Sequence, residues 1–246
     1  MLCTKRDDGR LWQSTEGFSM PAKSVVQFEM MDELLANLGG VSPHRIRMTP
    51  TPGTATERDV LRLYEKHKRL FELVDGTLVE KGIGAGESSI AGDILHWIKS
   101  YLELHNQKGL VLGEAGTLKF LKKLVRIPDV SFTRWDRLPG GKVPAEPIPD
   151  LAPDLCVEVL SKANTRLEME RKLKEYFLAG VLLVWFVDPK RRTVRVFTSP
   201  DDVTELTETD TLTGGDVLPG FSVPVTRLFA DLEEAPKPTK PKRKKK

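Results

Sequence analysis

The sequence predicts a mixed α/β fold in which helices flank a central sheet. Three observations carry this. Two apolar runs of strand length, Leu155–Leu160 and Leu182–Val187, enclose an amphipathic helical segment that runs to about Ala179. A second helical stripe is formed by Ile90, Ile94, Ile98, Tyr101 and Leu102, with Leu95 and Trp97 beside it. Turn signals at Asp75-Gly76, Gly214-Gly215 and Pro219-Gly220 divide much of the remainder into short strands.

Residues 1–28 show no periodicity and read as a leader, or as an upstream start with Met20 and Met30 as alternatives. MDELLANL forms a short helical turn stopped by Gly39-Gly40, and HRIRMTPTPGTATE reads as a loop. Thr54 or Thr56 caps a helix to about Leu70. FELVDGTLVE is a hairpin, with Glu80 a structural or peripheral residue at its end. A Gly-rich link then leads into a helix from about Glu87 to His105. VLGEAGTLKFL reads as two strands around a Gly turn, and RIPDVSF as another strand. The following RWDRLPGGKVPAEPIPDLAPD has five prolines and two glycines, so it is a long loop. Beyond the strand DLCVEVL, Thr165 and Glu168 stand at capping-box spacing. LLVWFVD is a buried strand with Trp185 and Phe186 in the core, and TVRVFT an edge-type strand. A last hairpin and a helical turn over 224–232 complete the fold.

Hydrophobic content of 39% with 30% charge describes a soluble globular chain rather than a disordered one. No apolar run approaches the roughly 18–20 residues of a membrane helix. The charged N-terminus (Lys5, Arg6, Asp7, Asp8, Arg10) lacks a secretory apolar core, so a cytoplasmic location is expected. Cys3 and Cys156 support neither a disulfide framework nor a zinc site, and Cys156 reads as a buried free thiol. The net charge of +3 is owed to the tail, where seven of the last ten residues are Lys or Arg. The rest has 31 basic against 35 acidic residues, about −4. Nucleic-acid affinity of the body therefore requires a local patch. The tail either adds non-specific phosphate binding or is a solubilising end.

The chemistry concentrates between Arg126 and Tyr176. Asp129 follows Pro128 at the start of one apolar run, and Glu158 is the only charge inside a second. Lys172 follows on an amphipathic helix. Two acids and a lysine delivered by two strands and a helix are what metal-dependent phosphodiester cleavage needs: carboxylates for a divalent cation, an ammonium for charge at the phosphate. Each residue also has a plainer reading. Asp129 could be a turn residue. Glu158 could sit in a buried salt bridge, since a lone carboxylate in an apolar strand is costly unless paired or metal-bound. Lys172 could pair with Glu168 one turn away, and Lys174 competes for its role. Arg126, Arg134, Arg137 and Lys142 are either local phosphate contacts or solvated charges. His44, His67, His96 and His105 have no ligand-like spacing.

Six segments in order, FELVDGTLVE, RIPDVSF, PDLCVEVLSKANT, RKLKEYFLAGV, LVWFVDPKRRTVRVF and GGDVLPGF, resemble the Uma-two family of restriction-endonuclease-like proteins within the PD-(D/E)xK nuclease superfamily. The resemblance covers roughly residues 55–230. It implies a restriction-endonuclease-like α/β fold with a mixed central β-sheet flanked by helices. It further implies a divalent metal (Mg²⁺, with Mn²⁺ as a substitute) and hydrolysis of DNA phosphodiester bonds. Asp129 fits the PD position and Glu158 the (D/E) position. Leu160 stands where the simple pattern has Lys, and Lys172 fits the family's lysine on the following helix. Relatives often begin the first core helix with a His; here Gly86-Glu87-Ser88 stands there. Glu87 is either an additional metal ligand or a helix-start residue favoured by the macrodipole. The implied organisation is an N-terminal extension, partly disordered, over 1–53, an endonuclease-like catalytic domain over 54–232 and a basic disordered tail over 233–246. By analogy the protein forms a homodimer. The alternatives are a nuclease-shaped module that binds nucleic acid or protein without cutting, and a hydrolase of another phosphate ester.

Overall fold

Leu155–Val159 and Leu183–Asp188 pair in parallel, joined by the helix Arg166–Leu178. This is a strand–helix–strand crossover, the arrangement that two buried apolar runs around an amphipathic helix favour. The computed structural model describes residues 28–82 and 84–232. Its strands are β1 (Ile46–Arg47), β2 (Phe71–Val74), β3 (Thr77–Glu80), β4 (Gly109–Leu112), β5 (Leu118–Leu121), β6 (Leu124–Arg126), β7 (Val130–Arg134), β8 (Leu155–Val159), β9 (Leu183–Asp188), β10 (Thr193–Phe197), β11 (Val203–Leu206), β12 (Thr211–Gly214) and β13 (Leu218–Pro224). Its helices are α1 (Met31–Asn37), α2 (Glu57–His67), α3 (Ala85–Leu104), α4 (Arg166–Leu178) and α5 (Val225–Leu228).

The principal sheet has the order β11-β10-β9-β8-β7-β4 and is mixed: β8 and β9 are parallel, the other neighbours antiparallel. A second, antiparallel sheet has the order β1-β3-β2-β6-β5. β12 and β13 form a separate ribbon. The fold is thus mixed α/β with several sheets flanked by helices. Three readings need correction. The runs in VLGEAGTLKFL are strands but not partners: β4 pairs with β7 and β5 with β6, so the Gly turn carries the chain from one sheet to the other. Local alternation specifies strands, not which sheet they join. TVRVFT is not an edge, because β10 is paired on both sides. The loop after α1 contains a short strand, β1, which adds to β3.

Strand alternation divides the core. Leu155, Val157 and Val159 of β8 pack with the apolar stripe of α3 (Ile90, Ile94, Ile98), which closes that face of the principal sheet. Cys156 points the other way, with Met169, Leu173 and Tyr176 of α4, and is a buried free thiol as expected. Glu158 shares the parity of Cys156 and therefore also faces α4. On its opposite side, α4 meets the second sheet through charge: Arg171 pairs with Asp75 in the β2–β3 turn, and Glu168 with Arg45 beside β1. Thr165 caps α4 by accepting the Glu168 N–H at 3.0 Å, completing the expected capping box. The expected leader, its Met20 start and the tail from Glu233 lie outside the described residues, as does Cys3.

Candidate active site

Asp129 ends the β6–β7 link, and its N–H donates to the Val157 carbonyl of β8 at 3.0 Å. This fixes the register in which Val130 faces Val157 and sets the Asp129 carboxylate beside the last residues of β8. Asp129 Oδ2 accepts the Val159 N–H at 2.6 Å, and Oδ1 accepts from Lys81 Nζ at 2.6 Å. Lys81 stands just past β3 and also donates to the Ile127 carbonyl at 2.6 Å.

Glu158 Oε1 accepts the Tyr176 hydroxyl and lies 3.0 Å from Lys172 Nζ. Lys172 and Tyr176 are one helical turn apart on α4, so one face of the helix presents both to the same oxygen. Lys172 Nζ also lies 3.1 Å from Glu72 Oε1 on β2. Glu72 is fully enclosed: Oε1 also accepts the Ile127 N–H at 3.1 Å, and Oε2 accepts from Arg126 at 2.7 Å. Arg126 continues to Glu175 at 2.9 Å, and Glu175 to Arg171 at 2.7 Å. The result is one alternating chain of buried charge from β8 through α4 to the second sheet.

Burial pushes the Glu158 carboxyl above its usual range, and Asp129 and Glu72 add to this against Lys172 and Lys81. For Glu72, burial acts in the same upward direction, but Lys172, Arg126 and Lys81 together hold it well below the carboxylate range. Burial alone would lower the Lys172 ammonium; Glu158 and Glu72 outweigh it, so Lys172 is raised and stays a cation. Burial, then Glu158, pushes the Tyr176 hydroxyl far up, keeping it protonated and able to donate to Glu158.

Asp129, Glu158 and Lys172, the three residues singled out from the sequence, line one cavity of about 30 Å³, room for an ion or a water or two. Glu87, in the first turn of α3, lines it too, with its carboxylate folded back on Gly84. That position is compatible with either role read from the sequence. Lys174 is exposed, and Glu168 takes Arg45 rather than Lys172. Arg126 is neither a surface phosphate contact nor solvated, being 3% exposed between Glu72 and Glu175. Arg134 and Arg137 are both drawn to the buried Asp154, at 3.1 and 3.0 Å.

Sequence reasoning missed Glu72, Lys81 and Glu114; Glu114 lines the same cavity and accepts from the Ser88 hydroxyl at 2.7 Å. Glu72 carried a usable signal, the lone charge in FELV. Lys81 carried none, because its partner lies at the start of a strand in the other sheet.

As to a metal, Asp129 and Glu158 supply hard oxygen donors, and Glu158 Oε2 has no protein partner among the described residues. No group of three or more His, Cys, Asp or Glu side chains converges as a metal cluster among the described residues. Two carboxylates on one small cavity are within the donor number of a hard divalent cation that keeps several waters, although both Asp129 oxygens already accept from protein donors.

No curated protein matches the chain. Among solved structures, the fold is similar to the crystal structure of "a putative nuclease belonging to DUF820 from Anabaena variabilis ATCC 29413". The TM-score is 0.60 at 19% identity, over 68% of this chain and 93% of that one. The family model described as "Uma2: Putative restriction endonuclease" matches residues 58–226. With more than half its length matched and a nuclease-like fold around the Asp129–Glu158–Lys172 cavity, the chain belongs to the Uma2 family of restriction-endonuclease-like proteins.

Proposed function

We propose that the protein is a Mg²⁺-dependent endonuclease that hydrolyses DNA phosphodiester bonds, with Asp129, Glu158 and Lys172 as its catalytic residues. The observation that carries the reading is the convergence of two carboxylates from adjacent strands and one helix-borne ammonium on a single small cavity. Asp129 and Glu158 would hold the cation, with Glu87 as a further oxygen donor and Mn²⁺ as a substitute for Mg²⁺. When bound, the ion supplies an acidified water and a counter-charge for the phosphate. Lys172, clamped between Glu158 and Glu72, sets a fixed positive charge against the phosphoryl oxygens, the kind of preorganised stabilisation that costs no reorientation during reaction. Its raised basicity makes it a cation and hydrogen-bond donor rather than a base. Lys81 orients Asp129 from the opposite wall. Tyr176 donates to Glu158 Oε1 and so would hold the Glu158 carboxylate in place for a cation.

The proposal includes a cytoplasmic location and, by superfamily analogy, a homodimer. No helix among the described residues is long and apolar enough to cross a membrane.

The test is plasmid nicking with Mg²⁺ or Mn²⁺, comparing wild type with Glu158→Gln and Lys172→Gln, each checked for folding by circular dichroism. Metal-dependent cutting that vanishes in both folded variants supports the assignment. One observation favours a second reading, a nuclease-shaped binding module: both Asp129 oxygens are already engaged by protein donors. Wild type that leaves plasmid and RNA uncut, with no Mg²⁺ heat in calorimetry, selects that module.

A further inference from the structure

A groove of about 930 Å³ runs along the carboxyl ends of β8 and β9 and the start of α4. It meets the catalytic cavity at Glu87, Ser161 and Asn164, which line both. Two of its three acids are already engaged: Glu170 takes Arg166 at 3.3 Å, and Asp188 accepts the Lys190 and Arg191 N–H groups at 3.0 Å, while the third, Glu87, lies at the junction with the cavity. Of its five cationic side chains, those of Arg166 and Arg191 meet these acids and three do not. Lys162 and Lys190 are exposed, with no ion pair or side-chain hydrogen bond among the described residues. Arg195 is half-buried in the same wall and likewise has neither among the described residues. Its guanidinium is held over the rings of Phe186 and Phe197, at 5.6 and 5.7 Å from their centroids. Elsewhere the partly buried arginines Arg45, Arg134 and Arg171 each meet a carboxylate. A guanidinium stacked on two rings keeps its donor fork fixed and unused, which is the geometry that accepts a phosphate bidentately.

We infer that Arg195, with Lys162 and Lys190, clamps the phosphodiester backbone of a nucleic acid that lies along this groove and enters the catalytic cavity past Ser161 and Asn164. The inference rests on the nuclease reading for the direction of entry, though not for the clamp itself. It also explains how a body of net negative charge holds a polyanion: five cations against three acids make this groove locally positive.

The test is fluorescence anisotropy at several salt concentrations, with labelled single-stranded DNA, duplex DNA and RNA of equal length. The full chain carries Glu158→Gln throughout, so that nothing is cut and the basic tail is constant. Adding Arg195→Ala is expected to weaken binding at least about tenfold and to make the log Kd–log salt slope shallower by about one. Arg195→Lys restores the slope but not the full affinity. Lys190→Ala, which removes an exposed side chain with no ion pair among the described residues, is expected to reduce the slope as well. The nucleic acid that shows the largest response identifies the bound form. Unchanged affinity and slope in both alanine variants overturns the clamp, even if the wild type nicks plasmid. Conversely, loss of binding in the variants of a protein that never cuts keeps the clamp and removes the nuclease reading.

Discussion

The Lys172 ammonium lies 3.0 Å from Glu158 Oε1, 5% and 6% exposed in their side chains, so neither charge is compensated by water. Because Glu72 shares the same ammonium at 3.1 Å, Lys172→Ala takes a cation from two buried carboxylates at once. Among the described residues this leaves Glu158 with only the Tyr176 hydroxyl, and Glu72 with Arg126 and the Ile127 N–H. Removing one partner of a buried pair costs about 3–5 kcal/mol. The expected outcome is a loss of that order in urea unfolding, together with loss of nicking. Glu72→Gln combined with Lys172→Met removes one charge of each sign and should recover much of the stability and none of the activity. The two readouts separate the ion pair's contribution to folding from the lysine's part in catalysis.

Glu72 links acid sensitivity to the same network. Burial works against its charge, but Lys172, Arg126 and Lys81 hold its carboxyl below the ordinary value of 4.5. In the window between the lowered folded value and 4.5, the unfolded chain binds more protons, so stability rises with pH there. The contribution of Glu72 is complete above about pH 4.5 and is lost as pH falls through the folded value. Glu72→Gln should therefore lower stability at pH 7 by about 1–3 kcal/mol and flatten the acid limb of a melting-temperature profile below pH 4.5. An acid limb that is unchanged would show that the network does not hold Glu72 ionised.

These two residues mark how far the sequence could be read. Glu158 was legible because a lone carboxylate in an apolar strand demands a partner, and Lys172 because it sits on the helix that must cover that strand. Glu72 obeys the same rule, yet it was absorbed into a hairpin whose Asp75-Gly76 turn dominated the local signal. Lys81 and Arg126 were not legible. Their partners, Asp129 and Glu72, lie 48 and 54 positions away: the first pairing depends on how the two sheets meet, the second on β2 and β6 being neighbours in one sheet. The same gap explains β4 and β5, whose strand character is local and whose sheet membership is not. The Arg195 site needed the fold as well, since only the β9–β10 pairing sets it over Phe186.

The lysines also predict how the protein responds to metal removal. Lys81 and Lys172 already balance Asp129 and Glu158, so chelation should leave the fold intact. A ligand that binds only the folded state stabilises it by mass action, about 1.4 kcal/mol at tenfold its Kd. Thermal unfolding is thus expected to show the same cooperative transition in EDTA and a melting temperature a few degrees higher in saturating Mg²⁺. In Glu158→Gln the EDTA transition should persist and the Mg²⁺ increment should disappear. An increment that survives in Glu158→Gln would assign the cation to another site.

Gly39 governs how α4 is seated. It adopts φ +75°, and a Cβ there would fall 2.6 Å from the Glu168 backbone nitrogen and 2.8 Å from its Cα. Its carbonyl accepts the Thr165 hydroxyl at 2.5 Å, so the end of α1 and the cap of α4 are in direct contact. Gly40 is also left-handed, at φ +70°, but a Cβ there would meet nothing within 4 Å. The pair is an internal control. Gly40→Ala should cost only the left-handed strain, roughly 1–2 kcal/mol. Gly39→Ala adds a clash with immovable backbone, about 1–3 kcal/mol more, and displaces the first turn of α4. Lys172 lies on that helix, so Gly39→Ala should also slow nicking at temperatures where the protein is still folded, while Gly40→Ala should not. Equal melting temperatures for the two variants would mean that the α1–α4 contact does not set the position of the helix.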